Sequence, residues 1–375
     1  MKHIILLLLI LSVSLLNAQQ DKNTLLEELM DESINCKGKK RVCNMLLYAK
    51  NAKTKFEFNR GLGVVGRSEA KIDESFQYKI ASITKTMVAT TVLQMAEEGK
   101  INIDDPIKKY LEYTDFVNYD NLHIYKGVKS QDSITIRMLL NHTSGILDIF
   151  NDAEVRFYLG VYFNKKKEYT AEEIYKKYFD YKLNKKPANL PGRGYNYSDI
   201  NYMLLGFIIE EVAQKSLADV LRERIITPLE LENTYFEYYE AARGIGQMTD
   251  SYLNRTNITE KINTSFEWAG GGIVSTVEEM AVFIQAIFNE QLLNTESLNN
   301  MMDISSTAKF GEKYGLGLEK FEIKNKVFYG HSGAYGSLLL YSPAEELTIS
   351  LNVGQGNPPF SLGKLVYDIS NIIGE

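Results

Sequence analysis

The chain has 375 residues, a length that allows two or three compact units. Apolar residues make up 45% of it and charged residues 24%, which is the composition of a globular protein and excludes a disordered, collagen-like or coiled-coil chain. With 42 basic and 48 acidic side chains the formal net charge is −6, so we expect no binding to nucleic acid.

The first 18 residues have the pattern of an export signal. A basic start at Lys2 precedes an apolar run over residues 4–16, and Ala18 supplies a small residue before a polar segment. The alternative is an N-terminal membrane anchor, but the run is shorter than the ~20 residues needed to span a bilayer. We therefore predict a signal peptide at residues 1–18 and a mature domain at 19–375, exported to the periplasm or the extracellular space without stable membrane insertion.

Hydrophobic periodicity predicts strands near both ends of the chain and helices between them. The predicted helices cover residues 24–30, 82–98, 136–140, 171–181, 202–214, 217–226 and 276–289. The predicted strands cover residues 42–49, 54–58, 316–321, 326–329, 337–341 and 348–353. This order favours an α/β (α+β) fold with one sheet built from both chain ends, and with an all-helical subdomain inserted at about residues 106–261.

The two cysteines, Cys36 and Cys43, lie on either side of a turn rich in lysine and glycine. In an exported protein such a pair can form a disulfide that closes a small loop, and two free thiols are the alternative. His123, His142 and His331 are far apart in the sequence, and no His or Cys pair has the spacing of metal ligands. We expect no metal and no other cofactor.

Two glycine motifs resemble functional sequences but lack their structural context. Residues 61–66 match the dinucleotide-binding pattern G-x-G-x-x-G, but the polar residues that follow show no helical apolar stripe. Residues 330–334 read Gly-His-Ser-Gly-Ala, close to the nucleophile elbow G-x-S-x-G, which requires a following helix and a later histidine. A predicted strand follows instead, and no histidine occurs after His331. We therefore predict a strand and turn at residues 61–66 and exclude Ser332 as a nucleophile of the α/β-hydrolase type.

A serine and a lysine three residues apart open the long helix predicted at residues 82–98. Ser82 and Lys85 form the tetrad S-x-x-K, and residues i and i+3 share one face of a helix, so the amine can reach the hydroxyl. The helix N-terminus favours negative charge that develops near the serine, and partial burial would let the lysine act as a base. The tetrad alone favours the alternative, a serine that caps the helix and a lysine on the surface.

Two more motifs follow in a fixed order. Residues 197–199 read Tyr-Ser-Asp, and residues 331–333 read His-Ser-Gly directly after a predicted strand. With S-x-x-K at residues 82–85, the chain resembles the serine penicillin-recognising enzymes, in the branch of class C β-lactamases, D,D-peptidases, D-aminopeptidases and carboxylesterases, whose motifs are S-x-x-K, Y-x-N and K/H-T/S-G. Further matches lie at residues 139–145, 228–231 and 269–276. The resemblance covers almost the whole mature chain and implies an antiparallel sheet flanked by helices, as in the β-lactamase/transpeptidase fold.

The resemblance implies catalytic roles for the matching residues. Ser82 would be the acylated nucleophile and Lys85 its activating partner. Tyr197 would pass a proton from Ser82 to the leaving group, and later one from water. The backbone N–H groups of Ser82 and Ala334 would form the oxyanion hole. His142 also matches a family motif, and we interpret it as a core histidine that stabilises a turn.

The third motif would form the substrate pocket. The resemblance implies that His331, Ser332 and Gly333 line a pocket for a substrate carboxylate. His331 stands where the motif also allows lysine, and it would be mostly neutral at pH 7. It would therefore attract a carboxylate, such as that of a β-lactam, only weakly.

One residue departs from the second motif. Asp199 stands where Y-x-N has an amide, and an ionised carboxylate accepts hydrogen bonds but cannot donate them. It would pair with Lys85, keep that lysine protonated and shift the base role toward Tyr197. Binding of a free amino group on the substrate is a second role open to it.

These features predict an exported serine hydrolase that works through an acyl-Ser82 intermediate on D-amino-acid peptides, β-lactams or esters. The departures favour a peptidase or an esterase over an efficient cephalosporinase. The alternative is a non-catalytic sensor of the same fold that binds peptidoglycan fragments or β-lactams. We expect a monomer whose partner is a small substrate.

Overall fold

The computed structural model describes residues 20–66 and 70–374 of the chain. The signal peptide predicted at residues 1–18 lies outside the described residues and stays a prediction. Within these ranges no helix is both long and apolar enough to cross a bilayer. Cys36 and Cys43 form a disulfide, which decides between the two alternatives that the sequence leaves open.

The longer strands lie near the two ends of the described chain, and most of the helices lie between them. The helices are α1 (residues 20–33), α2 (Thr84–Glu97), α3 (Lys108–Leu111), α4 (Ile136–Leu140), α5 (Glu154–Phe163), α6 (Ala171–Asp180), α7 (Asp199–Ala213), α8 (Leu217–Leu221), α9 (Ile258–Lys261), α10 (Trp268–Gly271), α11 (Val277–Phe288), α12 (Thr295–Met302), α13 (Ser305–Ala308) and α14 (Leu362–Gly374). The strands are β1 (Asn44–Asn51), β2 (Phe56–Val65), β3 (Ala70–Lys71), β4 (Tyr78–Lys79), β5 (Ile124–Tyr125), β6 (Val128–Lys129), β7 (Tyr235–Phe236), β8 (Tyr252–Leu253), β9 (Thr256–Asn257), β10 (Ile273–Ser275), β11 (Glu319–Ile323), β12 (Lys326–Gly333), β13 (Ser337–Ser342) and β14 (Leu347–Asn352).

The largest sheet joins the two ends of the chain. Its strand order is β11-β12-β13-β14-β1-β2-β3, and all neighbouring strands are antiparallel. Leu46 of β1 pairs with Asn352 of β14 on one side and with Gly61 of β2 on the other. The prediction of an antiparallel sheet built from both ends is confirmed.

Both faces of this sheet are covered. Leu46 and Tyr48 of β1 belong to a core cluster that they share with α2 and α11, whereas Leu47 and Ala49 belong to a second cluster with α1 and α14. Successive side chains of a strand point to opposite faces, so a strand covered on both sides is apolar throughout. This explains why the sequence from residue 45 to 49 is an unbroken apolar run.

Helices are the main regular structure of the segment at residues 106–261, but it is not all-helical as predicted. Strands β5 and β6 form a hairpin in it, because Lys126 and Gly127 have φ of 49° and 85° and so adopt the left-handed turn that a two-residue hairpin requires. Strand β7 pairs with β10 from outside the segment, and β8 pairs with β9. Each of these strands is only two residues long, too short to give a period-2 signal in the sequence.

The glycine-rich stretch at residues 61–66 belongs to strand β2 and the turn after it, as predicted. Strand β11 begins at Glu319, later than the predicted start at residue 316. Gly317 has a φ of 75°, and its carbonyl accepts a hydrogen bond of 2.8 Å from the Thr86 hydroxyl of α2. This contact holds the preceding residues in a turn against α2, which delays the strand and brings Glu319 to its start.

Candidate active site

Ser82 lies in a short 3-10 helix (Ala81–Ile83) that leads directly into α2. Ala81 has a φ of 50°, a conformation that costs energy for any residue with a Cβ atom and often marks functional sites. Strand β12 approaches this turn closely, because a Cβ atom on Gly333 would lie 2.6 Å from the Ile80 carbonyl oxygen. Glycine at residue 333 therefore brings the end of β12 against the turn that carries Ser82.

Lys85 is completely buried one helical turn after Ser82. Its Nζ donates hydrogen bonds to Ser82 Oγ at 3.2 Å, to Asp199 Oδ1 at 2.6 Å and to the Gly270 carbonyl oxygen at 2.8 Å. Three acceptors satisfy an ammonium group completely, and the carboxylate among them makes burial of the charge possible. The structure thus brings together the lysine and the aspartate that the sequence predicted to pair.

Gly270 and Asp148 hold the two partners of Lys85, the Gly270 carbonyl oxygen and Asp199, in place. A Cβ atom on Gly270 would lie 2.2 Å from Asp199 Oδ1, so glycine is required where this backbone carries its carbonyl oxygen to Lys85. The backbone N–H of Asp199 donates to the carboxylate of Asp148 at 3.0 Å, at the N-terminus of α7. Helix N-terminal N–H groups need such an acceptor. Sequence analysis missed Asp148 and the role of Gly270.

Asp148 is fully buried and accepts several hydrogen bonds, including those from the backbone N–H groups of Phe150 and Asn151. Burial, and next the negative charge of Asp199, raise the pKa of Asp148 well above its usual range. The hydrogen bond from the Asp199 backbone opposes this rise. Asp148 therefore fixes the start of α7, the helix that begins with Asp199.

Tyr197 lies over the ammonium group, with 4.9 Å between Lys85 Nζ and the centre of its ring. Burial and the charge of Asp199 raise the pKa of Tyr197 well above its usual range, while an interaction with the Ser82 side chain lowers it. The phenol hydroxyl consequently keeps its proton at neutral pH. The structure thus brings Ser82, Lys85 and Tyr197 into one constellation.

His142 lies behind Tyr197 in the core. Its φ is 59°, and its Nδ1 accepts a hydrogen bond of 3.1 Å from the backbone N–H of Ser198. Its ring centre lies 4.3 Å from that of Tyr197. Burial lowers the pKa of His142 well below its usual value, so the ring is neutral. The geometry agrees with our interpretation of His142 as a core histidine, and it adds that the residue holds the backbone next to Tyr197.

A cavity of about 660 Å³ opens over Ser82. It is lined by Ser82, Asn151, Tyr195, Tyr197, Gly311, Glu312, Lys313, Tyr314, Glu319, Lys320, His331, Ser332, Gly333 and Ala334. Ala334 follows the end of β12 beside the Ser82 turn, which is where a second backbone N–H would have to lie to form an oxyanion hole with that of Ser82.

His331 offers no free nitrogen to a ligand. Its Nδ1–H donates to the Ser332 carbonyl oxygen at 2.6 Å, and its Nε2 accepts from the Tyr314 hydroxyl at 2.9 Å. Burial lowers the pKa of His331, more than the nearby Glu319 raises it. His331 lines the cavity, but because both ring nitrogens have partners within the protein, it brings neither a free N–H nor a positive charge to a carboxylate bound there.

Ser332 is also occupied, by an acidic residue that sequence analysis missed. Glu319 Oε1 accepts a hydrogen bond of 2.8 Å from Ser332 Oγ and one of 3.1 Å from the Ser332 backbone N–H. A carboxylate of the chain itself therefore occupies the donors that were expected to face a substrate carboxylate. In the part of the chain that is described, no group of three or more His, Cys, Asp or Glu side chains is arranged to hold a metal ion.

Comparison with known sequences and structures gives consistent results. The sequence model of the Beta-lactamase family matches residues 51–367. A protein of Escherichia coli (strain K12) with a provisional D-alanyl-D-alanine carboxypeptidase name is 26% identical over 324 residues, which cover 75% of this chain and 70% of the relative. An N-acetylmuramyl-L-alanine amidase of Bacillus subtilis (strain 168) is 24% identical over 332 residues, which cover 78% and 71%.

Solved structures show the same fold. The D-amino acid amidase of Ochrobactrum anthropi SV3, in complex with L-phenylalanine amide, superposes with a TM-score of 0.77 at 22% identity and covers 94% of this chain and 98% of its own. A D-stereospecific amidohydrolase from Streptomyces sp. gives a TM-score of 0.72 at 24% identity, with coverage of 89% and 96%.

Proposed function

Because this chain belongs to the beta-lactamase family, whose relatives here are serine hydrolases, we propose that it hydrolyses amide or ester bonds through an acyl-enzyme on Ser82. The observation that carries the proposal is the position of the Lys85 ammonium group, which contacts both the Ser82 hydroxyl and the Asp199 carboxylate. A serine that only capped a helix would not need a fully buried lysine against its oxygen.

Acylation follows from these contacts. Ser82 Oγ attacks the substrate carbonyl carbon, and the oxygen that becomes negative lies between the backbone N–H groups of Ser82 and Ala334. Lys85 already donates three hydrogen bonds and so has no lone pair for the serine proton. Tyr197 relays it instead: its oxygen takes the proton of Ser82 while its own proton passes to the leaving nitrogen or oxygen, and the bond to the leaving group breaks.

Deacylation uses the same groups in reverse. A water molecule attacks the acyl carbon, its proton passes through Tyr197, and Ser82 Oγ leaves as a hydroxyl with the acid as product. A relay of this kind does not require Tyr197 to ionise, which suits a phenol whose pKa is raised well above its usual range. The Lys85 charge stabilises the alkoxide character of Ser82 during each step.

We further propose that the substrates are amides, peptides or esters with D-amino-acid components, and that the enzyme is a peptidase or esterase more than a cephalosporinase. Both nitrogens of His331 are engaged, and this residue brings no positive charge to the cavity. The relatives named as amidases act on amide bonds, in agreement with this proposal. The predicted signal peptide supports action in the periplasm or outside the cell.

The test is a panel of D-aminoacyl amides, short D-peptides, short-chain esters and a cephalosporin, assayed with the wild type and with Ser82→Ala. We expect turnover of at least one amide or ester, faster than that of the cephalosporin, and none with the variant. Intact mass after exposure to a fluorophosphonate should show one adduct, absent in Ser82→Ala. A stable acyl adduct with no turnover on any substrate would identify a sensor. No adduct at all would contradict both the hydrolase and the sensor.

A further inference from the structure

We propose that Glu319 makes the leaving-group side of the cavity reject substrates whose leaving fragment carries a carboxylate, and accept fragments that are uncharged or cationic and present a hydrogen-bond donor. This proposal rests on the proposed function and names its substrate class more closely. It predicts a preference against leaving fragments such as a free C-terminal amino acid.

Glu319 already binds the hydrogen-bond donors that Ser332 offers at the cavity wall. Its Oε1 accepts both hydrogen bonds that Ser332 can donate, one from the hydroxyl and one from the backbone N–H. A substrate carboxylate at this place would have to displace a carboxylate that is covalently part of the chain. Because the side chain is anchored on β11, which pairs with β12 through Glu319 and Gly330, it is held against Ser332 by the sheet itself.

The second oxygen of the Glu319 carboxylate is available to a substrate. Oε2 makes no hydrogen bond within residues 20–66 and 70–374, and the Glu319 side chain is 27% exposed where it lines the cavity. An acceptor oxygen that faces a cavity without a partner favours a donor, such as an amide N–H or an ammonium group, and disfavours an anion.

Among the described residues no lysine or arginine of the cavity wall pairs with Glu319, and the two lysines there share the single carboxylate of Glu322. The lysines that line the cavity are Lys313 and Lys320, and their Nζ atoms pair with Glu322 at 2.6 Å and 3.0 Å. His331 is neutral, with both ring nitrogens engaged. Glu312, which also lines the cavity, adds a further negative charge.

The position of Tyr197 identifies this as the leaving-group side. The leaving atom must lie beside Tyr197, because it receives the Tyr197 proton. The ring centre of Tyr197 lies 6.1 Å from that of Tyr314 and 6.4 Å from that of His331, and the charge of Glu319 acts on the Tyr197 hydroxyl. The leaving fragment, whose first atom lies beside Tyr197, therefore extends toward Glu319.

The test compares two esters that share an acyl group and differ only in the leaving phenol. The phenols are 3-hydroxybenzamide and 3-hydroxybenzoate, which have similar size, and the acyl group is the one turned over fastest in the substrate panel. We expect the wild type to have a kcat/KM at least ~10-fold higher for the carboxamide ester, since like charges repel in a partly desolvated site. Raising the salt concentration should reduce this ratio, because salt screens the repulsion.

Glu319→Gln keeps the shape and the Oε1 acceptor and removes the charge. We expect it to bring the ratio to within about threefold of unity, mainly through faster turnover of the carboxylate ester. Glu278→Gln, which removes a charge from the exposed face of α11, is the matched control and should keep the wild-type ratio.

The outcomes separate the two proposals. Equal turnover of both esters by the wild type, or a preference that persists unchanged in Glu319→Gln, would overturn the role of Glu319 and leave the serine hydrolase intact. Absence of turnover together with absence of an adduct on Ser82 would overturn the proposed function, and the role of Glu319 with it.

Discussion

Lys85 Nζ lies 2.6 Å from Asp199 Oδ1, and this ion pair is largely shielded from solvent, with the lysine completely buried and the aspartate side chain 14% exposed. A buried charge that loses its partner pays the full cost of desolvation, whereas the loss of an exposed pair costs little. The pair therefore connects the stability of the protein to the same atoms that we propose activate Ser82.

We expect Asp199→Ala to lower the free energy of unfolding by about 3 kcal/mol, because it leaves the Lys85 ammonium group buried without a counter-ion. Asp199→Asn should cost about 1 kcal/mol, since its amide oxygen still accepts the hydrogen bond. Urea unfolding of the purified variants measures both. Asp368→Ala, which breaks the exposed pair of Lys364 and Asp368 on α14, is the control and should cost less than ~1 kcal/mol. Equal losses for Asp199→Ala and Asp368→Ala would show that the buried pair contributes nothing special.

We expect Tyr197→Phe to reduce kcat/KM by about 10²- to 10⁴-fold, because the proton relay to the leaving group is lost while the fold is retained. The raised pKa of Tyr197 also predicts that the wild-type pH–rate profile shows no ionisation of this phenol within its normal range near pH 10. Steady-state kinetics from pH 6 to 10 and a circular dichroism spectrum of the variant check both statements. A variant with wild-type activity would remove Tyr197 from the mechanism.

The hydrogen bond that His142 accepts predicts different losses of stability for two substitutions of this residue. Asparagine tolerates the left-handed backbone at this residue and can offer an oxygen to the Ser198 N–H, so His142→Asn should lose about 1 kcal/mol of stability. His142→Ala leaves that N–H unsatisfied beside a cavity and should lose about 3 kcal/mol. Because Tyr197 shifts with this backbone, the alanine variant should also lose more kcat than the asparagine variant. Equal effects of the two would refute the hydrogen-bond explanation.

The same histidine gives a pH dependence with a definite sign. Its folded-state pKa is lowered well below 6.5, so the unfolded chain binds a proton that the folded chain does not, and stability is lost as the pH falls below about 6.5. The stability advantage of the wild type over His142→Asn should therefore shrink between pH 7 and pH 5, and stay constant above pH 7. Urea unfolding at several pH values measures the difference.

Glu267 should titrate in the opposite sense. Burial raises its pKa to about 7, against the charge of Lys79 and a hydrogen bond from the Tyr335 hydroxyl. Between pH 4.5 and 7 the unfolded chain loses a proton that the folded chain keeps, so stability falls as the pH rises through this window. We compare the free energy of unfolding of Glu267→Gln with that of the wild type at pH 4 and at pH 8. From the lower to the higher pH, this difference should change in favour of the variant by up to ~3 kcal/mol. A stability difference that does not change with pH would show that Glu267 is ionised throughout.

The sequence predicted the parts of the site that carry their own chemical signal. Ser82, Lys85 and Tyr197 lie in two short motifs, and the structure brings them together. The antiparallel sheet from both chain ends is confirmed as well, and its central strands β1, β13 and β14 are buried on both faces.

Three contributors to the site had no such signal. Gly270 acts through its carbonyl oxygen, which every residue has, and only its place in the matching segment at residues 269–276 could have indicated it. Asp148 is one more aspartate until the fold sets it under the start of α7. Glu319 lies inside a predicted strand, and only the turn at Gly317 shows that it begins that strand, from where its side chain reaches Ser332. Each depends on contacts between segments far apart in the chain.

The pairing of β1 with β14 also sets an order of events in time. Leu46 can pair with Asn352 only after residue 352 has been synthesised. Until then the edge of β1 that pairs with β14 has no partner. Pairings between such distant segments form slowly, and an open apolar strand invites association with other chains. A product that ends before β14 would thus be an aggregation hazard and not a smaller enzyme, although every residue of the S-x-x-K and Tyr-Ser-Asp motifs would be present in it.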